Sequence, residues 1–481
     1  MKISADWQKN VDYIKEAIKF CPDYIINELK LKDGTRVLLL CIDNMVNSQI
    51  LYDEVIPNVL AMDSKNFNLD TLPFAKVKID TTLDEALAGV ATGGTFFLLE
   101  GRCRGFEVRV EYVFGRFPAP SETEKNLRGA KDSFVENVNL NMAMMRNKIG
   151  NANLKFEEHI IGATTNQKLV ISYIKGIADD KLLAKLRGRI KHLNYDGFLS
   201  TGYVEQMISD HPRSPFPQCD ATERTDKTVS ALLEGKFAIF VNGAPSALIM
   251  PTSFWGFFQA MDDYSHSPWI GSLVGIFRFI SLFIALFLPS IYITILSFHY
   301  YVTPISIIST LGNSRSMVLF SPLIEALVIE FLFEIIREAS VRLPTYVGST
   351  LGIVGGIIIG QAAVEAGLVS NYMVIVVSVT AIAGFVVPSQ DMAYTLRFVR
   401  FFMMFFAGAF GFIGMITAAS LLMIHLLQLE SLGRPYLLPM FPTHKAGLYN
   451  TVVRFPFAKL RTRPTIAKPI DKIRGKNYGK K

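Results

Sequence analysis

The stretch GSTLGIVGGIIIGQAAVEAGLVS, residues 348–370, decides how this chain reads. It is apolar almost throughout and, at about 1.5 Å of rise per helical residue, long enough to cross a hydrocarbon layer. Gly348, Gly352, Gly356 and Gly360 recur every fourth position and would line up as one stripe of small residues on a helix, open to close approach by a neighbouring helix. Gln361 and Glu365, also four apart, fall on a second stripe roughly 100° away. A carboxylate at bilayer depth costs about 2.5–3.5 kcal/mol on insertion scales, so Glu365 is expected to face a partner or water. One face for packing and one polar face suggest a pore or a substrate path. A tightly packed helix with Glu365 merely close to the interface is the plainer alternative.

Working outward, four more apolar segments follow residue 266: 273–296, 317–336, 372–388 and 398–429. Together they predict an α-helical polytopic membrane domain over 266–443. The segment at 317–336 carries Glu325, Glu330 and Glu334, and that at 398–429 has Gly408, Gly411 and Gly414 at its centre. From 445 to 481 there are eleven Lys or Arg against one acid, Asp471, which marks a cytoplasmic flank. The N-terminus has no secretory pattern, so both ends are expected inside and the number of crossings even. Three carboxylates in 317–336 favour a re-entrant helix there and four crossings, the preferred reading. Arg337, Arg342, Arg397 and Arg400 favour six, with 398–429 as a broken hairpin. Glu330 and Glu334 share a helix face. Glu334 either pairs with Arg337 one turn on, or one of the two glutamates lines a cation path.

The first half reads as soluble α/β structure in two lobes. Lobe 1, residues 1–114, begins with an amphipathic helix expected over 6–29 and continues with strands at 35–43, 95–100 and 106–113. Residues 115–150, rich in Pro, Gly and charge at their start, read as a linker with a connecting helix. Lobe 2, residues 151–265, has strands at 155–161 and 168–174, a helix at 179–193, and a hairpin across Asn242-Gly243. The charged cluster Asp220, Glu223, Arg224 and Asp226 beside SPFPQ (214–218) reads as a loop pinned by ion pairs. Residues 444–481 are expected to be a flexible basic tail against anionic lipid headgroups, which explains the basic pI without nucleic acid.

No nucleophile elbow, phosphate loop or dinucleotide fingerprint is present, and the four Cys and seven His have no metal-ligand spacing. The expectation is a chain that is not an enzyme, with no cofactor and no metal.

The segment FEIIREASVRLPTYVGSTLGIVGGIIIGQAAVEAGLVS (333–370), above all IGQAAVEAGLVS (359–370), resembles the A-subunit family of bacterial spore germinant receptors, the GerA type. LRGAKDSFVENVNLNMAMMRNKI (127–149), SPFPQ (214–218), ATERTD (221–226), LLEGKFAIFVNGAP (232–245) and PSIY (289–292) support it. Ser133, Ser340 and Asn147-Lys148 depart from the usual pattern, leaving open a nutrient-receptor A subunit or a sporulation-specific relative of the SpoVAF type.

The resemblance implies a multi-pass protein of the spore inner membrane. Its partners would be a transporter-like B subunit and a lipoprotein C subunit. It also implies a homo-oligomer, a pentamer in the family's pattern, that releases monovalent cations. In that setting Gln361, Val364 and Glu365 would stand near a pore axis, with Val364 as a hydrophobic gate. A non-conducting scaffold and a secondary transporter are the rival readings. Against the second, no internal repeat is evident in the sequence.

Overall fold

The computed structural model describes residues 1–43, 45–62, 77–110, 124, 129–343, 356, 358, 360–443, 451 and 453–475. The stripe residues Gly348 and Gly352 lie outside that set.

RVLLLCI, strand β2 (Arg36–Ile42), shows why lobe 1 forms. Side chains alternate between the faces of a strand, and both faces here are covered. Leu38, Leu40 and Ile42 meet helix α1 (Trp7–Ala17) and helix α2 (Leu83–Val90), while Val37, Leu39 and Cys41 meet a helical stretch from Ser48 to Leu60. Strand β1 (Tyr24–Lys30) pairs with β2, which pairs with β4 (Gly94–Leu99), then β5 (Gly105–Arg109), with β3 (Val77–Asp80) at the edge. All these pairings are antiparallel.

Lobe 2 repeats this plan. Its strands are β6 (Leu154–Ile161), β7 (Gln167–Ile174), β8 (Asp220–Thr222), β9 (Phe237–Val241) and β10 (Ala247–Met250), in the order β6-β7-β9-β10-β8 and again wholly antiparallel. Helix α3 (Val138–Lys148) and helix α6 (Thr225–Leu233) cover one face, and helices α4 (Asp180–Lys191) and α5 (Thr201–Ile208) the other. Thus α3 stands to lobe 2 as α1 stands to lobe 1. Residues 138–148 belong to the second three-layer unit, whereas the sequence suggested a connection.

Two local expectations are corrected. The opening helix stops at Ala17, because Phe20 takes φ 61° and Pro22 follows, and the chain then enters β1. The basic tail, expected to be flexible, is docked where described. Arg454 donates to the carbonyls of Asp263, Tyr264 and His266, Ile470 N–H donates to Ile177 O at 2.8 Å, and Arg474 pairs with Glu234 at 2.9 Å. Arginine forks that reach backbone carbonyls order a segment whose composition alone suggests solvation.

The helical region has one end at the lobes and one distal end. Helix α7 (Pro268–Ser297) starts beside the lobes, where Arg278 pairs with Asp263. After a short helix α8 (Ile305–Arg315), helix α9 (Pro322–Arg342) returns toward the lobes, and helix α10 (Asn371–Phe385) does the same later. Helix α11 (Gln390–Gln428) is broken at Gly411, which has φ 63° and ψ −142°. Thr395 Oγ1 donates to Pro215 O at 2.6 Å and His425 Nε2 lies 2.9 Å from Ser214 Oγ. A straight helix would hold residues 395 and 425 about 45 Å apart, so α11 is a hairpin with both feet on SPFPQ.

Leu323 packs where a side chain at Gly408 would stand, Glu330 pairs with Arg400, and Glu334 meets Arg397. Helix α9 therefore lies antiparallel along the first arm of α11. Pro268–Ser297 and Gln390–Gln428 are long and apolar enough to cross a membrane.

The hairpin tip gives a direct test. The Gly411 backbone is sparsely populated by any other residue, and a Cβ at Gly414 would collide with the Phe406 carbonyl. Gly414→Val is expected to lower the melting temperature in detergent far more than Gly408→Ala, whose Cβ meets only the flexible Leu323 side chain. Equal shifts would contradict the hairpin.

Candidate functional site

The helix carrying residues 360–365 turns Ala363 inward against Ala326, Ile329 and Met373. Gln361, Ala362 and Glu365 are exposed, and Val364 is half-buried beside the same cluster. Gln361 Nε2 donates to Glu365 Oε1 at 3.0 Å, so the two side chains form one polar unit on the outer surface of an apolar bundle. A Cβ at Gly356 or Gly360 would meet nothing within 4 Å. Among the described residues, the small-residue face at these two positions is thus open.

Glu330 and Glu334 are placed otherwise. Glu330 is buried, with both carboxylate oxygens 2.8 and 2.9 Å from Arg400 Nη1. Glu334 accepts from Arg337 at 3.0 Å, the internal pair that spacing suggests, and from Arg397 at 3.4 Å. Neither stands on the face of Gln361 and Glu365. Arg400 is 70 residues from its partner, so no local spacing announces the pair.

At the distal end Glu325, wholly buried, accepts from Ser370 N–H at 2.6 Å and Ser370 Oγ at 2.5 Å, with Arg315 at 3.7 Å. Ser370 Oγ also lies 3.3 Å from Tyr292 OH and caps α10 through Met373 N–H. PSIY and the last residue of IGQAAVEAGLVS, remote in sequence, meet at the Ser370 hydroxyl, which in turn donates to the Glu325 carboxylate.

SPFPQ is the joint between lobes and helices. Besides both feet of α11, it receives Tyr436 OH on Pro217 O and Ser431 Oγ on Gln218 O, each at 2.6 Å, while Phe216 is buried among helical side chains. Beside it the charged cluster is held by ion pairs, Arg224 on Asp226 at 2.7 Å and Lys227 on Asp220 at 2.8 Å, but Asp220 lies in β8 and Asp226 in α6 where the sequence suggested a loop. Among the described residues no group of His, Cys, Asp or Glu is arranged to hold a metal.

A cavity of about 280 Å³ adjoins the joint, lined by Glu205, Asp391 and the SPFPQ backbone. Burial, then the carboxylates of Asp391 and Asp220, push Glu205 up to about 7, against the Cys219 N–H that favours its charged form. The folded state then holds a proton between about 4.5 and 7 that the unfolded state has released, so stability falls as pH rises through that window. Glu205→Gln is expected to flatten the dependence and to melt above wild type at pH 8, by roughly 3 kcal/mol of stability, with little difference near pH 4. Parallel melting curves from pH 4 to 8 would contradict this.

Residues 12–466 match the Bacillus/Clostridium GerA spore germination protein family. The chain belongs to that family. It is 36% identical to spore germination protein B1 of Bacillus subtilis, over 98% of this chain and 100% of that protein. It is 34% identical to spore germination protein KA of the same organism, over 98% and 88%. Identity is also 34% to the Bacillus subtilis protein called uncharacterized membrane protein YfkQ, over 96% and 91%. The crystal structure of the N-terminal domain of the A subunit of the Bacillus megaterium spore germinant receptor GerK3 overlaps with TM-score 0.43 and 28% identity, over 53% of this chain and 98% of that one. Membership of this germinant-receptor A-subunit family supports a role in spore germination for this GerA-family chain, and its long apolar helices suggest a membrane location.

Proposed function

We propose that this GerA-family chain is a membrane subunit of a nutrient-germinant receptor that oligomerises into a gated, cation-releasing channel. The observation that carries the reading is the exposed Gln361–Glu365 pair on an apolar bundle, next to open small-residue positions at Gly356 and Gly360. Facing lipid, that pair would leave a carboxylate at costly depth. Facing copies of itself, it would form a ring of carboxylates that concentrates cations, with Val364 beside it as a gate.

Six crossings are the count we favour, with the two arms of the α11 hairpin each spanning once, a reading supported by the apolar length of α7 and α11 and the break at Gly411. On that count both termini would lie with the lobes on the cytoplasmic side of the spore inner membrane. The B and C subunits would supply nutrient recognition and anchoring. Nutrient binding would act through SPFPQ, where the lobes touch both feet of the α11 hairpin, by favouring one packing of the helices over another.

The test is potassium efflux from liposomes holding the chain with B and C subunits, with and without amino acids. Nutrient-dependent efflux that changes in Val364→Ala and falls in Glu365→Gln, with assembly intact, is expected. Efflux unaltered in both variants would contradict the pore. No efflux from a correctly assembled complex would leave a scaffold role.

A further inference from the structure

A cavity of about 660 Å³ opens where the helices meet lobe 2, with three arginines on its helical side and Glu124 and Asp262 beside Arg224 and Lys227 on its lobe side. The helical side presents Arg337, Arg397 and Arg400. Their carboxylate partners there are Glu330 and Glu334, so three guanidiniums face two carboxylates and one positive charge is left over. Arg400 is 1% exposed, and its Nε has no hydrogen-bond partner. A buried guanidinium donor left unpaired is costly unless something else accepts from it.

On the lobe side the two lining cations are neutralised from behind by Asp226 and Asp220, which leaves Glu124 and Asp262 as the acidic groups at the cavity. Arg224 and Lys227 lie in the field of Asp226, Asp220, Glu124 and Asp262, two cations among four carboxylates. Asp262 Oδ1 is buried and accepts no hydrogen bond. Between the two sides the rim is apolar and outward-facing, with Val341 at 72%, Phe385 at 70% and Tyr394 at 53% exposure.

We infer that this cavity binds the headgroup of an aminophospholipid, its phosphate on the arginine side and its ammonium on the Asp262 side. A phosphate accepts two or three charge-assisted hydrogen bonds from guanidinium groups. A primary ammonium donates three, which suits the carboxylate side. The apolar rim would receive the start of the acyl chains. This site rests on the membrane reading above, and it lies at the level where headgroups of the lobe-side leaflet would stand. A lipid so placed would bridge lobe 2 and the hairpin, making the stability of that joint depend on lipid composition.

Native mass spectrometry of the full chain released from membranes tests it, with melting temperature as a second readout. Phosphatidylethanolamine should stay bound, at least fivefold more than phosphatidylglycerol, which lacks the ammonium, or phosphatidylcholine, whose ammonium has no N–H. Arg397→Gln and Asp262→Asn should each reduce retention several-fold while leaving the lipid-free melting temperature within a degree or two. Equal retention of the three lipids, or full retention by both folded variants, would overturn the site. Free phosphoethanolamine is the other arm: saturation without lipid retention would support the same charge pairing with a soluble ligand. Flotation of the chain with liposomes tests membrane insertion separately, so failure of the site is distinguishable from failure of the membrane reading.

Discussion

Glu330→Ala is expected to destabilise the helical domain by about 3–5 kcal/mol, because it leaves Arg400 charged, buried and unpaired. The pair joins α9 to the first arm of α11 with 2% and 1% of the two residues exposed, and no water-filled route is needed to explain it. Glu330→Gln keeps the shape and loses the charge, so it should fall between wild type and the alanine variant. Replacing both members, as Glu330→Met with Arg400→Met, should recover most of the loss, since two well-packed apolar side chains remove both desolvation costs. Thermal unfolding in detergent reads all four forms. A single substitution that leaves the melting temperature unchanged would contradict the pairing.

Arg146→Met is expected to cost a similar 3–5 kcal/mol in the soluble half. Arg146 is wholly buried. It donates from Nε and Nη2 to Asp23 at 2.8 and 3.1 Å and from Nη1 to Leu154 O at 2.8 Å. Its guanidinium also lies over the rings of Tyr24 at 5.1 Å and Phe156 at 4.8 Å. Asp23 opens β1 of lobe 1 and Arg146 ends α3 of lobe 2, so one side chain fastens the two units beside the backbone bond from Phe156 N–H to Phe20 O at 3.0 Å. The methionine variant should show earlier melting and two separable unfolding steps where wild type shows one. A single unshifted transition would argue that the lobes hold together without it.

How much of this is visible in the residues depends on range. The buried strand at 36–42, the Asn242-Gly243 hairpin and the helix at 180–191 have local signals, an apolar run, a turn dipeptide and a 3.6-residue stripe, and the structure follows them. Strands β3 and β8 have four and three residues and sit at sheet edges, too short for alternation to show. The duplication of the lobes lies in strand order, and insertions of different length between matching strands hide it from a search for a fixed period.

The hairpin in α11 was one of two ways to make the crossings even. Gly411 and Gly414 permit the break, but only the contacts of Pro215 with Thr395 and of Ser214 with His425, on opposite arms, decide it. The candidate site was legible at Gln361 and Glu365, whose four-residue spacing yields the observed hydrogen bond. It was not legible at Glu330 or Arg146, whose partners lie 70 and 123 residues away. Charge counts on a sequence do not show which charges fold onto each other.

The central claim, that the Gln361–Glu365 face meets a second copy of this chain, is tested most directly by cross-linking. Cys21, Cys41 and Cys219 are buried and Cys103 is exposed, so Cys103→Ser provides a quiet background. Ala362→Cys, on the exposed face between Gln361 and Glu365, should then form intermolecular links under mild oxidation in membranes and give a ladder of oligomers through a bifunctional thiol reagent. Phe283→Cys, on the outward face of α7, should remain monomeric. A folded Ala362→Cys protein that stays monomeric, or equal cross-linking at both positions, would contradict a pore built on this helix.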